Sequence, residues 1–127
     1  MLQLSRQIFN SFRYAFRGVK EVYRTELNFR LQITASLLVL LFVLLFQVRP
    51  KDAAILFLMM ALVLILELVN TALERFVDLV KPRVHIYARS VKDIMAAAVL
   101  IASLFSLAIG LLIMWPYVSE ALAGGAS

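Results

Sequence analysis

The sequence predicts an all-α membrane protein, with three transmembrane helices and an N-terminal amphipathic helix on the membrane surface. Of its 127 residues 63% are hydrophobic, and the mean hydropathy is +0.91, well beyond the roughly 45–50% apolar content of an ordinary soluble domain. Three apolar runs stand out: Leu31–Val48, Ala53–Leu66 continued through Leu73, and Ile94–Trp115. Each is close to the roughly 20 residues a helix needs to cross about 30 Å of hydrocarbon. The first and third contain no charged residue. None shows apolar/polar alternation, and all exceed the roughly 9–11 residues of a barrel strand, which excludes β-barrel spans.

In chain order, residues 5–24 form the surface helix. Ile8, Phe9, Phe12, Phe16, Val19 and Tyr23 recur there at three- and four-residue spacings among Arg6, Arg13, Arg17, Lys20 and Arg24, the pattern of a helix lying in the headgroup plane. Packing of that apolar face on the other helices accounts for the same pattern. Gly18 interrupts it and marks a kink or a close crossing. Residues 31–48 are the first span, and Arg49-Pro50-Lys51-Asp52 is a turn. Residues 53–73 are the second span, in a helix that Lys81-Pro82 ends because proline disfavours helical geometry in the residue before it. A short loop around Arg83–Tyr87 leads to the third span, 94–115. There Ala96, Ala97, Ala98, Ala102, Ser103 and Ser106 allow close helix approach in lipid and predict a homo-oligomeric bundle. The tail Ala121–Ser127 is expected to fray. With no internal repeat, residues 1–127 are expected to form a single membrane domain.

Charge sets the expected orientation. The 13 Lys and Arg exceed the 8 Asp and Glu, for a formal net charge of +5. All but Arg49 and Lys51 fall before the first span or between Arg75 and Lys92, so the positive-inside rule puts the N-terminus and the Arg75–Lys92 segment in the cytoplasm. That distribution suits anionic headgroups rather than nucleic acid. A cleavable signal peptide is a poor reading, since polar and basic residues occupy some thirty positions before the first apolar run. The chain has no cysteine, which removes disulfides, thiol catalysis and cysteine metal sites.

The chemical signal lies in Glu67-Leu-Val-Asn70-Thr71-Ala-Leu-Glu74-Arg-Phe-Val-Asp78. At about 100° per residue, Glu67, Asn70, Glu74 and Asp78 share one helical face, with Thr71 beside them. An ionisable residue in a span costs at least about 2.5–3.5 kcal/mol on insertion scales, so such a stripe marks a pathway, a pump or chemistry at the membrane surface. Glu67 lies between Leu66 and Leu68, so partial desolvation is expected to suit it to work as a base. Glu26 and Glu74 both fall near the cytoplasmic surface, and two carboxylates plus phosphate oxygens are a usual way to hold Mg²⁺. Lys92, beside Asp93, adds a cation suited to a polyphosphate. A solvated ion-pair cluster of Glu74, Arg75, Asp78, Lys92 and Asp93 accounts for the same spacing. No P-loop or Gly-x-Gly-x-x-Gly motif occurs.

Glu67-x-x-Asn70-Thr71-Ala72-x-Glu74-x-x-x-Asp78, then His85, then Ala88-x-x-x-Lys92-Asp93-x-x-Ala96-Ala97-Ala98-Val99 resembles the signature of the small bacterial integral-membrane diacylglycerol kinases and undecaprenol kinases. Upstream, Tyr14-Ala-Phe16-Arg17-Gly18 and Glu26-x-Asn28-Phe29-Arg30 are similar to that family's N-terminal segment, so the likeness runs from about Phe12 to Val99. The resemblance implies an ATP-dependent lipid kinase of the bacterial cell membrane, which phosphorylates the primary hydroxyl of a diacylglycerol or undecaprenol. It implies Glu67 as the catalytic residue and Glu26 and Glu74 as ligands of Mg²⁺. It further implies a nucleotide site of Tyr14, Glu26, Asn70, Glu74, Arg83, His85, Lys92 and Asp93, and a lipid site of Phe16, Phe29, Arg30, Glu67 and Ala96. A homotrimer with sites shared between subunits is implied as well. The chain departs from the pattern at Gln32, where members often carry Glu or His, and at Arg83, where some carry an acid. The rival reading is a small oligomeric transporter or channel with Glu67 as its coupling carboxylate. Against it, Glu67 falls near the cytoplasmic end of its helix rather than at midplane.

Overall fold

The computed structural model describes residues 2–80 and 85–124, and of Leu2, His85 and Ile86 the backbone alone. Four helices follow one another: α1 (Leu2–Thr25), α2 (Leu27–Leu45), α3 (Pro50–Val80) and α4 (His85–Gly124). The last three are long and apolar enough to cross a membrane, and α1 is the strongly amphipathic helix the sequence predicts.

Helix α3 is the hub, packing on α4, α2 and α1. The contacts Asp78 to Lys92, Met59 to Ser106 and Asp52 to Tyr117 run in opposite senses along the two chains, so α3 and α4 are antiparallel. The buried face of α3 is Ala53, Leu56, Val63, Glu67, Thr71 and Val77. Its first half is apolar, and the same stripe turns polar at Glu67. Most large side chains on α2 and α4 point outward, as spans solvated by lipid require.

A single non-helical residue, Glu26, separates α1 from α2, with φ −106° and ψ 117°. The chain reversal after α2, residues 46–49, lies three residues earlier than the Arg49–Asp52 turn the sequence suggests. Pro50 is already helical, because proline fits the first position of a helix, where its missing N–H is not needed. The reversal is instead a Schellman-type cap. Phe46 ends α2, Gln47 takes a left-handed φ of 48°, and the Val48 N–H donates to the Val43 carbonyl at 3.2 Å. Glycine adopts this conformation without a Cβ penalty, so Gln47→Gly is expected to stabilise the protein by about 0.5–1 kcal/mol. Denaturant titration in micelles checks this, and an unchanged or lower midpoint contradicts it.

This end of the bundle is fastened by Tyr117 of α4. Its hydroxyl donates to Asp52 Oδ2 at 2.5 Å and accepts the Arg49 backbone N–H at 3.1 Å, while its ring meets Phe42 edge-on. The latch explains why α4 does not stop at Trp115. Pro116 removes one backbone donor inside the helix, yet the helix continues to Gly124, so residues 121–124 of the tail expected to fray are helical.

Candidate active site

Glu67 sits one turn beyond Val63 on the buried face of α3 and is 3% exposed. The hydrogen bond it accepts comes from α2: Gln32 Nε2 donates to Glu67 Oε2 at 3.3 Å. A carboxylate offers about four lone-pair sites, so one amide leaves most of its accepting capacity open. Gln32 Oε1 and Asn70 Oδ1 are both buried without a partner, although buried polar groups are nearly always bonded. Two unpartnered acceptors thus lie on the residues next to a buried carboxylate.

Glu26 and Glu74 both lie within electrostatic reach of Glu67. Glu26 occupies the N-terminus of α2, where the helix dipole favours a negative charge. Its side chain does not cap the backbone; it accepts a hydrogen bond from the Thr25 hydroxyl at 3.1 Å. Thr25 in turn accepts from Arg75 Nη2 at 2.9 Å, and Arg75 also pairs with Glu21. A guanidinium on α3 therefore fixes the last turn of α1 and, through Thr25, the carboxylate of Glu26. Glu74 Oε1 accepts from Asn70 Nδ2 at 3.2 Å, the i, i+4 contact that a helix supplies.

Like charges within electrostatic reach disfavour one another, and a cation offsets that. Carboxylate oxygens are the hard donors that Mg²⁺ prefers, and Mg²⁺ commonly completes its shell with water and phosphate oxygens rather than protein atoms. No group of three or more acidic, histidine or cysteine side chains is close enough to hold a metal alone among the described residues. The residues fit an ion that arrives with a polyphosphate better than a metal resident in an all-protein cage.

At the same end of the bundle Lys92 Nζ donates to Asp78 Oδ1 at 2.7 Å and lies within electrostatic reach of Glu74. The geometry thus links Glu26, Gln32, Glu67, Asn70, Glu74 and Lys92. Asp93 and Ala96 are exposed on the first turns of α4, Arg30 on α2, and Tyr14 and Phe16 on α1. Tyr14 stacks beneath Arg17, whose guanidinium carbon is 5.8 Å from the ring centroid. Among the described side-chain hydrogen bonds none joins these five residues to Glu26, Glu67 or Glu74; the Arg30 backbone N–H donates to the Glu26 carbonyl at 3.3 Å. Phe29 is 2% exposed, a core side chain one turn beyond Glu26. Arg83 and the side chain of His85 lie outside the described residues.

Thr25 was not among the residues the sequence singled out, Gln32 was noted only as a departure, and Arg75, which the sequence places in an ion-pair cluster with Glu74 and Asp78, pairs instead with Glu21 and Thr25. Gln32 also lines a cavity of about 270 Å³ between α2, α3 and α4. The cavity is mainly apolar, its polar lining being Gln32, Ser36, Ser103 and Ser106.

Residues 13–114 match the family described as prokaryotic diacylglycerol kinase. The chain belongs to that family. It is 39% identical over 110 residues to an undecaprenol kinase of Bacillus subtilis, covering 87% of this chain and 89% of the relative. It is 37% identical over 115 residues to a diacylglycerol kinase of Synechocystis, covering 90% of this chain and 66% of that relative. A diacylglycerol kinase of Escherichia coli is 28% identical over 104 residues, covering 82% and 85%. Family members are lipid kinases, in agreement with the activity expected from the motifs. A channel or transporter built on Glu67 is not favoured.

Proposed function

We propose that this chain transfers the γ-phosphoryl group of ATP to the primary hydroxyl of a long-chain lipid alcohol, with undecaprenol as the preferred acceptor. The observation that carries the reading is the buried Glu67, within electrostatic reach of Glu26 and Glu74 and bonded to Gln32, which lines a mainly apolar cavity. Phosphoryl transfer asks a protein mainly for positioning and charge neutralisation, and these groups supply both. In the step itself Glu67 takes the hydroxyl proton, the hydroxyl oxygen forms a bond to the γ-phosphorus, and the bond from that phosphorus to the β,γ-bridging oxygen breaks to release ADP. Glu26 and Glu74 would hold Mg²⁺, which when bound would offset the charge of the phosphates.

Lys92 exchanges Asp78 for a phosphate oxygen, and Asn70 and Asp93 orient the nucleotide with Tyr14, Arg83 and His85. Phe16, Arg30 and Ala96 border the lipid, with Phe29 packed behind them. The exposed small face at Ala96 and Ala97 and the exposure of Tyr14 on α1 support a homotrimer with composite sites. The Lys and Arg distribution supports a site facing the cytoplasm of a bacterial cell, where ATP is available.

The preference for undecaprenol rests on the Glu26-x-Asn28-Phe29-Arg30 form of the motif and on the mainly apolar cavity, which offers little to the ester groups of a diacylglycerol. Purified protein with Mg·ATP is tested against undecaprenol, diacylglycerol and ceramide in mixed micelles. Undecaprenol is expected to lead in kcat/KM by at least about tenfold, within the range one pocket can discriminate. A lead for diacylglycerol overturns the acceptor, and transfer to none of the lipids overturns the reading.

A further inference from the structure

Gln32 stands at the junction of the two halves of the site. Its Nε2 donates to Glu67 Oε2 at 3.3 Å, while its Oε1 is buried with no donor beside it. The amide cannot turn over to relieve this, because Oε1 would then face a carboxylate oxygen. The same side chain ends the cavity on the Glu67 side. From there the lining runs past Ser36 to Val39 along α2, about 10 Å of helix, with Leu56 and Met114 towards the other end. A buried acceptor left open is costly and is satisfied by a ligand that brings a donor.

We propose that Gln32 is the residue that receives the acceptor's hydroxyl: Oε1 accepts its O–H hydrogen bond while Nε2 holds Glu67 in place, and the first carbons of the lipid lie in the α2–α3–α4 cavity. The proposal rests on the lipid-kinase reading for its biological meaning, but the binding it describes is separate from turnover. An alcohol satisfies Oε1. An ether or ester of the same chain fits the apolar walls equally well and brings no donor, so it leaves Oε1 orphaned. Gln32 thereby selects for the free hydroxyl before any nucleotide is present. As an amide it does so at any pH, where a Glu or His in its place titrates.

The test uses farnesol and farnesyl methyl ether as probes, without ATP, in detergent-solubilised full-length protein. Binding is read from the fluorescence of Trp115, the chain's single tryptophan, which neighbours the cavity-lining Met114. The wild type is expected to bind the alcohol on the order of tenfold more tightly than the ether. Gln32→Met, of similar length and without polar atoms, is expected to bring that ratio close to one. In turnover assays the same variant should lose kcat and raise the KM for lipid while the KM for ATP stays within about twofold.

A purely structural role weakens both probes alike and leaves the ratio as in the wild type, and that result overturns the proposal. So does a wild-type ratio near one. If Gln32→Met does not fold, Gln32→Asn carries the same test, since its shorter amide withdraws from Glu67 and from the cavity. Alcohol selectivity without phosphorylation of any lipid removes the kinase reading and keeps the role of Gln32; phosphorylation without selectivity does the reverse.

Discussion

Glu67→Gln is expected to lower kcat by about 10²- to 10⁴-fold, the usual contribution of a positioned general base, while leaving the KM for ATP and the Mg²⁺ requirement nearly unchanged. The substitution keeps the volume of the side chain and keeps a carbonyl oxygen for Gln32 Nε2 to bond, so packing at α2 is preserved and only the proton-accepting group is lost. Stability should hold or rise, because a buried charge is replaced by a neutral amide. Steady-state kinetics with ATP and lipid varied independently decide the matter. A kcat within tenfold of the wild type removes Glu67 from the role of base.

The metal site predicts a different signature. Glu26→Ala and Glu74→Ala are each expected to raise the Mg²⁺ concentration for half-maximal activity by at least about tenfold, since each removes one of two proposed protein ligands. Their structural costs should differ. Glu74 accepts a hydrogen bond from Asn70, and losing it costs about 1 kcal/mol, visible as a lower unfolding midpoint. The Glu26 side chain caps no backbone N–H, and the bond it accepts from the Thr25 hydroxyl is exposed to solvent, so its loss should move the Mg²⁺ curve with little change in stability. Unchanged half-saturation in both variants contradicts the assignment.

What the sequence made legible follows from where each constraint acts. Long charge-free runs disclose spans because hydrocarbon tolerates nothing else. The stripe from Glu67 to Asp78 is legible because a helix converts spacing into direction, and Glu67 and Thr71 are indeed buried on one side of α3. Local signals with two meanings were harder. Pro50 suggests a turn, yet it opens α3. The tail after Trp115 looks weak, yet Ala, Glu and Leu between Tyr117 and Gly124 are good helix formers, and Tyr117 fastens them to Asp52.

Contacts between residues far apart in the chain left no local pattern at all. A lone amide in an apolar run says nothing of a partner 35 positions away, and nothing near Arg75 announces that it reaches Thr25. Such contacts depend on how α1, α2 and α3 lie together. This is why the carboxylates proposed for the site can be named from sequence and the residues that contact them cannot.

The one-residue junction at Glu26 ties the chemistry to the bilayer. Helix α2 has 19 residues, ~28 Å at 1.5 Å per residue, so its length matches the roughly 30 Å of hydrocarbon, whereas the 31 residues of α3 exceed it by several turns. When the bilayer thins or thickens, a span matched to it must tilt, and a span that overshoots slides through with its exposed turns. The start of α2 carries Glu26 and the overshooting part of α3 carries Glu74, so the two proposed Mg²⁺ ligands belong to bodies that answer differently to the same change. Membrane thickness is therefore expected to act on this enzyme as an effector, so that acyl-chain length among the surrounding lipids tunes phosphorylation with no ligand bound and no residue altered.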